Sequence, residues 1–271
     1  MIVRVLGSGS KGNSVLVEAG DTRVLIDAGF SPRGMQKRLD VFGIEPCSIE
    51  AVVLTHEHID HVGRVAVCAG KWGWRILASE GTRNGCEALG QTTVETLSTS
   101  GTVAVGRLEL TTIGVSHDAN EPMAVVATSI TTGARAGIVY DLGVFTQKLA
   151  KALTYLDILM IEANHDDEML RFGPYPLSLQ RRIASRHGHL SNFESAAAAS
   201  ECAHKGMNHL ILAHLSQKNN TPWIATETVR ASVARTAFRG TITPASQGRT
   251  TGPFVPKGTS YRPARQLELG L

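Results

Sequence analysis

The sequence predicts one domain of mixed α/β fold, and three observations support this prediction. Short apolar runs bounded by Gly, Asn, Asp or Ser recur along the chain, which is typical of β-strands. Helix start signals, in which Ser or Thr precedes Pro or a capping Glu, stand between these runs. The chain has 271 residues, of which 42% are hydrophobic and 19% charged, so it contains enough apolar material for one large core.

The predicted strands follow one another from the N-terminus, and two of them form a hairpin around the Gly20-Asp21 turn. The apolar runs that predict strands are residues 2–6, 14–18, 23–27, 51–54, 75–78, 107–112, 124–131, 136–140, 156–162 and 209–212. Helices are predicted to begin at Ser31-Pro32, at Ser191 and at Thr221-Pro222. Because strands and helices alternate without a repeat or a linker, we expect a single domain over residues 1–247.

The C-terminal residues 248–271 differ in composition from the rest of the chain. They are rich in Gly, Pro, Thr and Arg and show no periodicity, which predicts an extended or poorly ordered tail. The basic residues of this tail could contact a substrate or could simply be solvated, and the sequence leaves both readings open. They are Arg249, Lys257, Arg262 and Arg265.

Cysteine content, apolar stretches and net charge indicate in which cellular compartment the protein works and which partners it could bind. The four cysteines are scattered and form no Cys-x-x-Cys pair, which argues against a disulfide framework or a structural zinc knuckle and favours a cytoplasmic protein with reduced thiols. No secretory signal and no membrane span is expected, because no apolar stretch is long enough. The net charge of +3 suits a polyanionic substrate without establishing one. The oligomeric state is open, with a homodimer as one alternative.

The densest group of chemically active residues follows the predicted strand 51–54. It reads His56-Glu57-His58-Ile59-Asp60-His61 and places three imidazoles and an aspartate in one turn. Imidazole suits zinc, iron and manganese, and carboxylate adds a harder oxygen ligand. This turn therefore predicts a metal site.

Three further potential ligands stand where later strands end. They are His117, Asp141 and His214. Each alone is weak evidence, because a single His after a strand is more often a surface or capping residue. Their shared position after the dense motif indicates that they complete the metal site.

The order His-x-His-x-Asp-His, then His, Asp and His at strand ends, resembles the metallo-β-lactamase superfamily. The resemblance implies an αββα sandwich of two mixed β-sheets flanked by helices, with metals at one edge. It implies two divalent ions, zinc or manganese, whose ligands are His56, His58 and His117 for the first, Asp60, His61 and His214 for the second, and Asp141 as the bridge.

Further motifs favour one branch of that superfamily. Asp rather than Cys at position 141 argues against the zinc β-lactamases. Glu162-Ala163 and His189-Leu190-Ser191 resemble elements of tRNase Z-type phosphodiesterases, which implies that His189 lies near the scissile phosphate with Ser191 as its companion. Ser191 can equally be a helix cap, and Glu162 can orient His189 or be a buried structural acid.

The motifs that include non-ligand residues are similar to those of the YycJ/WalJ group of bacterial metallohydrolases, regarded as exonucleases. They cover residues 7–14, 54–58, 140–143, 162–166 and 187–192. The resemblance implies a phosphodiester hydrolase, most simply an exonuclease acting on DNA rather than RNA, that uses a hydroxide activated by two metals. The alternatives are a small-molecule phosphodiesterase, a thioesterase or lactonase, and a non-catalytic binding module.

Roles for the remaining polar residues follow as expectations. Asp60 would hold the proton of the attacking hydroxide, and His189 would stabilise charge or protonate the leaving oxygen. The Gly-rich loop with Ser10 and Asn13 would bind a phosphate through its backbone amides or would be only a turn. Ser191 and Asn192 are further candidate substrate contacts. Three arginines could bind the phosphate backbone of a nucleic acid or could form only a solvated helix face. They are Arg181, Arg182 and Arg186.

Overall fold

Two mixed sheets form the centre of the protein in a computed structural model, which describes residues 1–257. Among these residues the strands are β1 (Ile2–Gly7), β2 (Ser14–Ala19), β3 (Thr22–Ile26), β4 (Ala51–Val53), β5 (Arg75–Ala78), β6 (Val94–Thr96), β7 (Thr102–Val105), β8 (Leu108–Gly114), β9 (Met123–Ser129), β10 (Arg135–Val139), β11 (Ile158–Glu162), β12 (His209–Ala213), β13 (Thr241–Pro244) and β14 (Thr251–Phe254). Over the same range the α-helices are α1 (Pro32–Asp40), α2 (Ile59–Val62), α3 (Val65–Trp72), α4 (Glu80–Gly85), α5 (Gln147–Ala152), α6 (Asp167–Phe172), α7 (Leu177–Ile183), α8 (Asn192–Cys202) and α9 (Pro222–Val233).

The two sheets share one strand pattern. The first has the order β14-β1-β2-β3-β4-β5-β6 and the second the order β13-β12-β11-β10-β9-β8-β7. In the first sheet the pairs from β14 to β3 are antiparallel and those from β3 to β6 are parallel. In the second, the pairs from β7 to β10 are antiparallel and those from β10 to β13 are parallel. Parallel strands end at a common edge, so each sheet delivers several loops to the same place.

Apolar side chains fill three layers. Residues that alternate along the strands of both sheets, such as Val24 and Ile138, form the core between the sheets. Met35 of α1 packs on the outer face of the first sheet. Ala199 of α8 and Val229 of α9 cover the outer face of the second. This arrangement is the predicted αββα sandwich.

Every predicted strand and all three predicted helix starts are present, with boundaries shifted by a few residues. Ser31 and Thr221 cap α1 and α9 through their side chains, as the Ser-Pro and Thr-Pro pairs predict. The elements that sequence patterns missed are short or lie at sheet edges. β6, for example, exposes both Glu95 and Thr96 and so lacks an apolar run.

The predicted C-terminal tail is wrong in part. Residues 251–254 form β14, which pairs antiparallel with β1, and Phe254 is buried in the core between the sheets. Beyond it, the Lys257 amide donates to Asn208 Oδ1 at 2.7 Å. The core therefore continues past the predicted boundary at residue 247, because one aromatic side chain at a sheet edge outweighs the Gly- and Pro-rich composition around it. Residues 258–271, including Arg262 and Arg265, lie outside the described residues.

The part of the chain that the structure describes holds no helix with the length and apolarity needed to cross a membrane. The four cysteines are free thiols, of which Cys47 is exposed and the other three are buried.

Candidate metal centre

The turn after β4 is held rigidly against the neighbouring loops. The Asn13 amide donates to the Asp60 carbonyl at 2.7 Å, and the Ala28 amide donates to the His61 carbonyl at 2.8 Å. A Cβ atom on Gly29 would lie 1.8 Å from the Asp60 carbonyl oxygen, so only glycine permits this close approach. The loops around the turn thus fix where its histidines and aspartate point.

Three strands deliver the remaining predicted ligands to this turn. His117 follows β8, Asp141 follows β10 and His214 follows β12. Asp141 and His214 have φ angles of 56° and 52°, in the left-handed region that non-glycine residues rarely adopt. Such strain persists only where the surrounding structure enforces it, and it is concentrated at functional sites.

The seven predicted ligands form two adjacent groups. In each group the potential ligand atoms lie within 4.8 Å of one another: the first comprises His56, His58 and His117, and the second Asp60, His61, Asp141 and His214. Asp141 lies between the two groups, because its Oδ2 is 2.6 Å from His61 Nε2 and 3.4 Å from His56 Nε2. Residues separated by more than 150 positions therefore converge as the sequence pattern predicts.

The donor set fits divalent cations. Among residues 1–257, His56 Nε2 is a buried atom without a hydrogen-bond partner. The buried Asp141 Oδ1 lies 3.0 Å from His214 Nδ1. Buried polar atoms of this kind are usually satisfied by an ion or a water molecule, and a buried carboxylate is costly unless a cation compensates it. One group of three imidazoles and one of mixed imidazole and carboxylate suit zinc or manganese.

Asp27, at the end of β3, is a part of this centre that sequence reasoning missed. Its fully buried carboxylate accepts hydrogen bonds from the Thr55 amide and hydroxyl and from the Tyr140 hydroxyl, each at 2.8 Å. It also lies 2.7 Å from His61 Nδ1. Burial lowers the pKa of His61, but Asp141 and Asp27 outweigh burial and raise this pKa well above its usual value. The sequence does contain a signal for this role, since Asp27 stands at the end of a predicted strand, as Asp141 does.

A second carboxylate–histidine pair lies beside the two groups. Glu162 Oε1 is 2.6 Å from His189 Nδ1 and 3.3 Å from His214 Nδ1, and Glu162 Oε2 accepts from the Leu142 amide at 3.0 Å. Burial lowers the pKa of His189, but the neighbouring Glu162 carboxylate outweighs burial and raises it. Of the two readings left open for Glu162, the structure supports the one in which it orients His189.

The four predicted substrate contacts lie in different surroundings. Ser10 is exposed and lines the cleft above the metal ligands. Asn13 is buried, and its Nδ2 donates to Asp60 Oδ2 at 3.2 Å. Ser191 caps α8 in a capping box with Glu194, and the Asn192 amide bonds to the Asn220 amide. The placement of Asn13, Ser191 and Asn192 gives the prediction of substrate contact no support, because their polar atoms already have structural partners.

A cleft of about 540 Å³ is lined in part by the candidate metal ligands. Asp60, Asp141, His189 and His214 lie among its lining residues. Its lining also includes Ser10, Lys11 and the segment 215–218, together with residues of and before α7 such as Tyr175 and Arg182. Of the predicted basic track only Arg182 lines this cleft, since Arg181 and Arg186 are exposed elsewhere.

The chain is similar to known proteins both in sequence and in structure. A family model described as a beta-lactamase superfamily domain matches residues 22–215. The chain is 31% identical over 261 residues to exodeoxyribonuclease YycJ of Bacillus anthracis, covering 95% of this chain and 97% of that protein. It is 32% identical over 237 residues to exodeoxyribonuclease WalJ of Streptococcus pneumoniae, covering 85% and 87% respectively. The metallo-β-lactamase fold protein YhfI of Bacillus subtilis superposes with a TM-score of 0.67 at 16% identity, covering 93% of this chain and 99% of YhfI.

Proposed function

This chain belongs to the β-lactamase superfamily and has the metallo-β-lactamase fold, and from that premise we propose that it is a metal-dependent exonuclease acting on DNA. The observation that carries the proposal is the position of His189. This imidazole is held by Glu162, faces the cleft and stands beside the two groups of metal-ligating side chains. Two relatives that match most of the chain are named exodeoxyribonucleases, which supports DNA over RNA as the substrate.

The proposed metal sites follow the two groups of donor atoms. His56, His58 and His117 would hold one divalent ion, and Asp60, His61 and His214 a second, with Asp141 shared between them. When bound, such ions polarise phosphoryl oxygens and lower the pKa of water. Zinc and manganese are the proposed ions, because the ligands combine imidazole with carboxylate.

Asp60 is the proposed hydrogen-bond acceptor that holds the proton of the attacking water or hydroxide and so orients it. Its side chain is 18% exposed and lines the cleft. Burial raises the pKa of its carboxyl group, but hydrogen bonds to His214 and His61 outweigh burial and hold this pKa below its usual value. The group is therefore a carboxylate at neutral pH and can accept a hydrogen bond from water.

His189 is the proposed proton donor to the leaving oxygen. Its Nδ1 is bound to Glu162, which leaves Nε2 for a ligand in the cleft. Because its pKa is raised, the imidazole is protonated over a wider pH range than a free histidine and can give a proton to the departing oxygen. The same positive charge stabilises an anionic transition state.

A panel of substrates tests the proposal. The purified protein, loaded with zinc or manganese, is incubated with end-labelled single- and double-stranded DNA, with RNA, with bis(p-nitrophenyl) phosphate and with an acyl thioester. We expect nucleotides to be released from DNA ends faster than from RNA, with slow hydrolysis of the simple ester. An Asp60→Asn variant prepared in parallel controls for contaminating nucleases and should be inactive. Thioester hydrolysis without cleavage of any phosphodiester would reject the nuclease in favour of an acyl hydrolase.

A further inference from the structure

Two lysines that line the cleft have no neutralising partner in the described part of the chain. Lys11 and Lys218 are exposed and line the cleft, and neither ammonium group makes an ion pair or hydrogen bond within residues 1–257. The third cation of the cleft differs from them. The Arg182 guanidinium lies with two nitrogens 2.6 Å from Asp118 Oδ2, so its charge is compensated.

The backbone that carries Lys11 is held in place. The Lys11 amide donates to Gln247 Oε1 at 2.7 Å, and Gln247 Nε2 donates back to the Gly12 carbonyl at 3.1 Å. On the other side of the loop, the Gly9 amide donates to Asn13 Oδ1 at 2.7 Å. The loop is therefore a fixed support for the lysine and not a free turn.

The backbone that carries Lys218 is fixed as well, and it is tied to the first loop. The Lys218 amide donates to Ser216 Oγ at 3.3 Å, and the Ser216 amide donates to the Asn164 carbonyl at 2.8 Å. The loop begins at His214, whose amide donates to Ser8 Oγ at 2.8 Å. Both lysines thus stand on connected loops, one of which begins at a proposed metal ligand.

The part of the lining that comes from α7 and the segment before it carries little uncompensated charge. It presents Tyr175, Leu179 and Ile183 together with the paired Arg182. An anionic chain in this cleft would therefore be attracted to the two lysines. Such a chain has more than one charge to place, because a nucleic-acid strand carries one phosphate per nucleotide.

We propose that Lys11 and Lys218 bind the phosphates next to the scissile one, so that the cleft selects a polynucleotide strand over an isolated phosphodiester. This inference rests on the proposed nuclease function. A lysine ammonium is a point charge suited to phosphate oxygens. A simple phosphodiester has a single phosphate, which would occupy the reaction centre and leave both lysines without a partner.

The test compares Lys11→Ala, Lys218→Ala and the double variant with a matched control, Lys205→Ala. Lys205 is also exposed but lies between α8 and β12, at the opposite end of β12 from His214. Binding of a fluorescently labelled single-stranded oligonucleotide is measured by anisotropy over a salt series. Turnover of the same oligonucleotide is compared with that of bis(p-nitrophenyl) phosphate.

Each cleft lysine should contribute to both readouts. We expect oligonucleotide affinity to fall about fivefold per lysine removed, as for a partly exposed ion pair. The slope of log affinity against log salt should fall by about 0.7 per lysine, as for one lost contact to a single strand. The ratio of kcat/KM for the oligonucleotide to that for the small ester should fall in parallel. Lys205→Ala should change none of these quantities.

The two proposals fail in different ways. Salt slopes and kcat/KM ratios of the Lys11 and Lys218 variants equal to those of Lys205→Ala would overturn the phosphate contacts and leave the nuclease intact. Lysine-dependent oligonucleotide binding without cleavage of any nucleic acid would instead overturn the nuclease and keep the contacts.

Discussion

Oδ2 of Asp27 lies 2.7 Å from Nδ1 of His61, with both side chains fully buried. The contact fixes the orientation of the imidazole and leaves Nε2 of the same ring 2.6 Å from Asp141 Oδ2. A carboxylate behind a metal-ligating histidine sets its tautomer and raises its basicity. We therefore expect Asp27 to position the imidazole of His61 in the candidate centre, although Asp27 itself is not among the residues that line the cleft.

Replacing Asp27 with Asn should weaken metal binding while preserving the size of the side chain. We expect metal affinity to fall by about 10- to 100-fold. The Asn side chain has no negative charge, and its NH₂ group would face one of the groups that now donate a hydrogen bond to the Asp27 carboxylate. Competition with a chromophoric chelator measures the change.

Asp157→Asn is the control for this prediction. Asp157 is also a buried carboxylate, and it accepts from the Arg135 amide at 2.9 Å. It precedes β11 and so lies at the end of the sheet away from the metal ligands. Equal metal affinity of Asp27→Asn and Asp157→Asn would contradict the positioning role.

Metal removal should destabilise the fold. Buried carboxylates such as Asp141 then lose the cations that compensate them. A ligand at about 1,000 times its Kd stabilises the native state by roughly 4 kcal/mol, and a domain of this size loses about 2–4 °C in Tm per kcal/mol. Chelation should therefore lower Tm by about 10 °C in scanning fluorimetry, and added zinc or manganese should restore it. An unchanged Tm after verified metal loss would argue against the site.

The C-terminal strand should be needed for stability. Phe254→Ala removes a buried ring from the core between the sheets, and we expect it to lower the free energy of unfolding by about 3–5 kcal/mol in urea titrations. The adjacent Val255 is 47% exposed, so Val255→Ala should change this free energy by less than about 1 kcal/mol. Comparable losses in the two variants would show that β14 is not part of the core.

The parts of the fold that sequence predicts best are those with a strong local signal. The strand leading to His56 and the Ser-Pro start of α1 each combine several cues within a few residues. The burial of Phe254 could not be predicted in this way, because it depends on pairing with β1, which is distant in the chain.

The convergence of the seven candidate ligands was predicted because their order matches a known spacing, and the structure brings these side chains together. The contacts that support them were not predicted. Asp27 is defined as part of the centre only by its distance to His61. Ser191 shows a further limit, since the motif left it open whether this residue contacts a substrate or caps a helix, and only the folded structure shows the cap. Distances between strand ends and the choice among hydrogen-bond partners are tertiary properties that composition and spacing do not contain.

His189→Ala should reduce phosphodiester turnover by about 10²- to 10⁴-fold, the usual contribution of a positioned acid or base. Metal content should remain at the wild-type value, because His56, His58, His117 and the ligands of the second group are untouched. His187→Ala is the matched control: His187 is only two residues away, but it is exposed and lies 3.2 Å from the Ser116 hydroxyl. Turnover of His189→Ala within about threefold of His187→Ala would remove His189 from the reaction, and the proton for the leaving oxygen would then have to come from another group in the cleft.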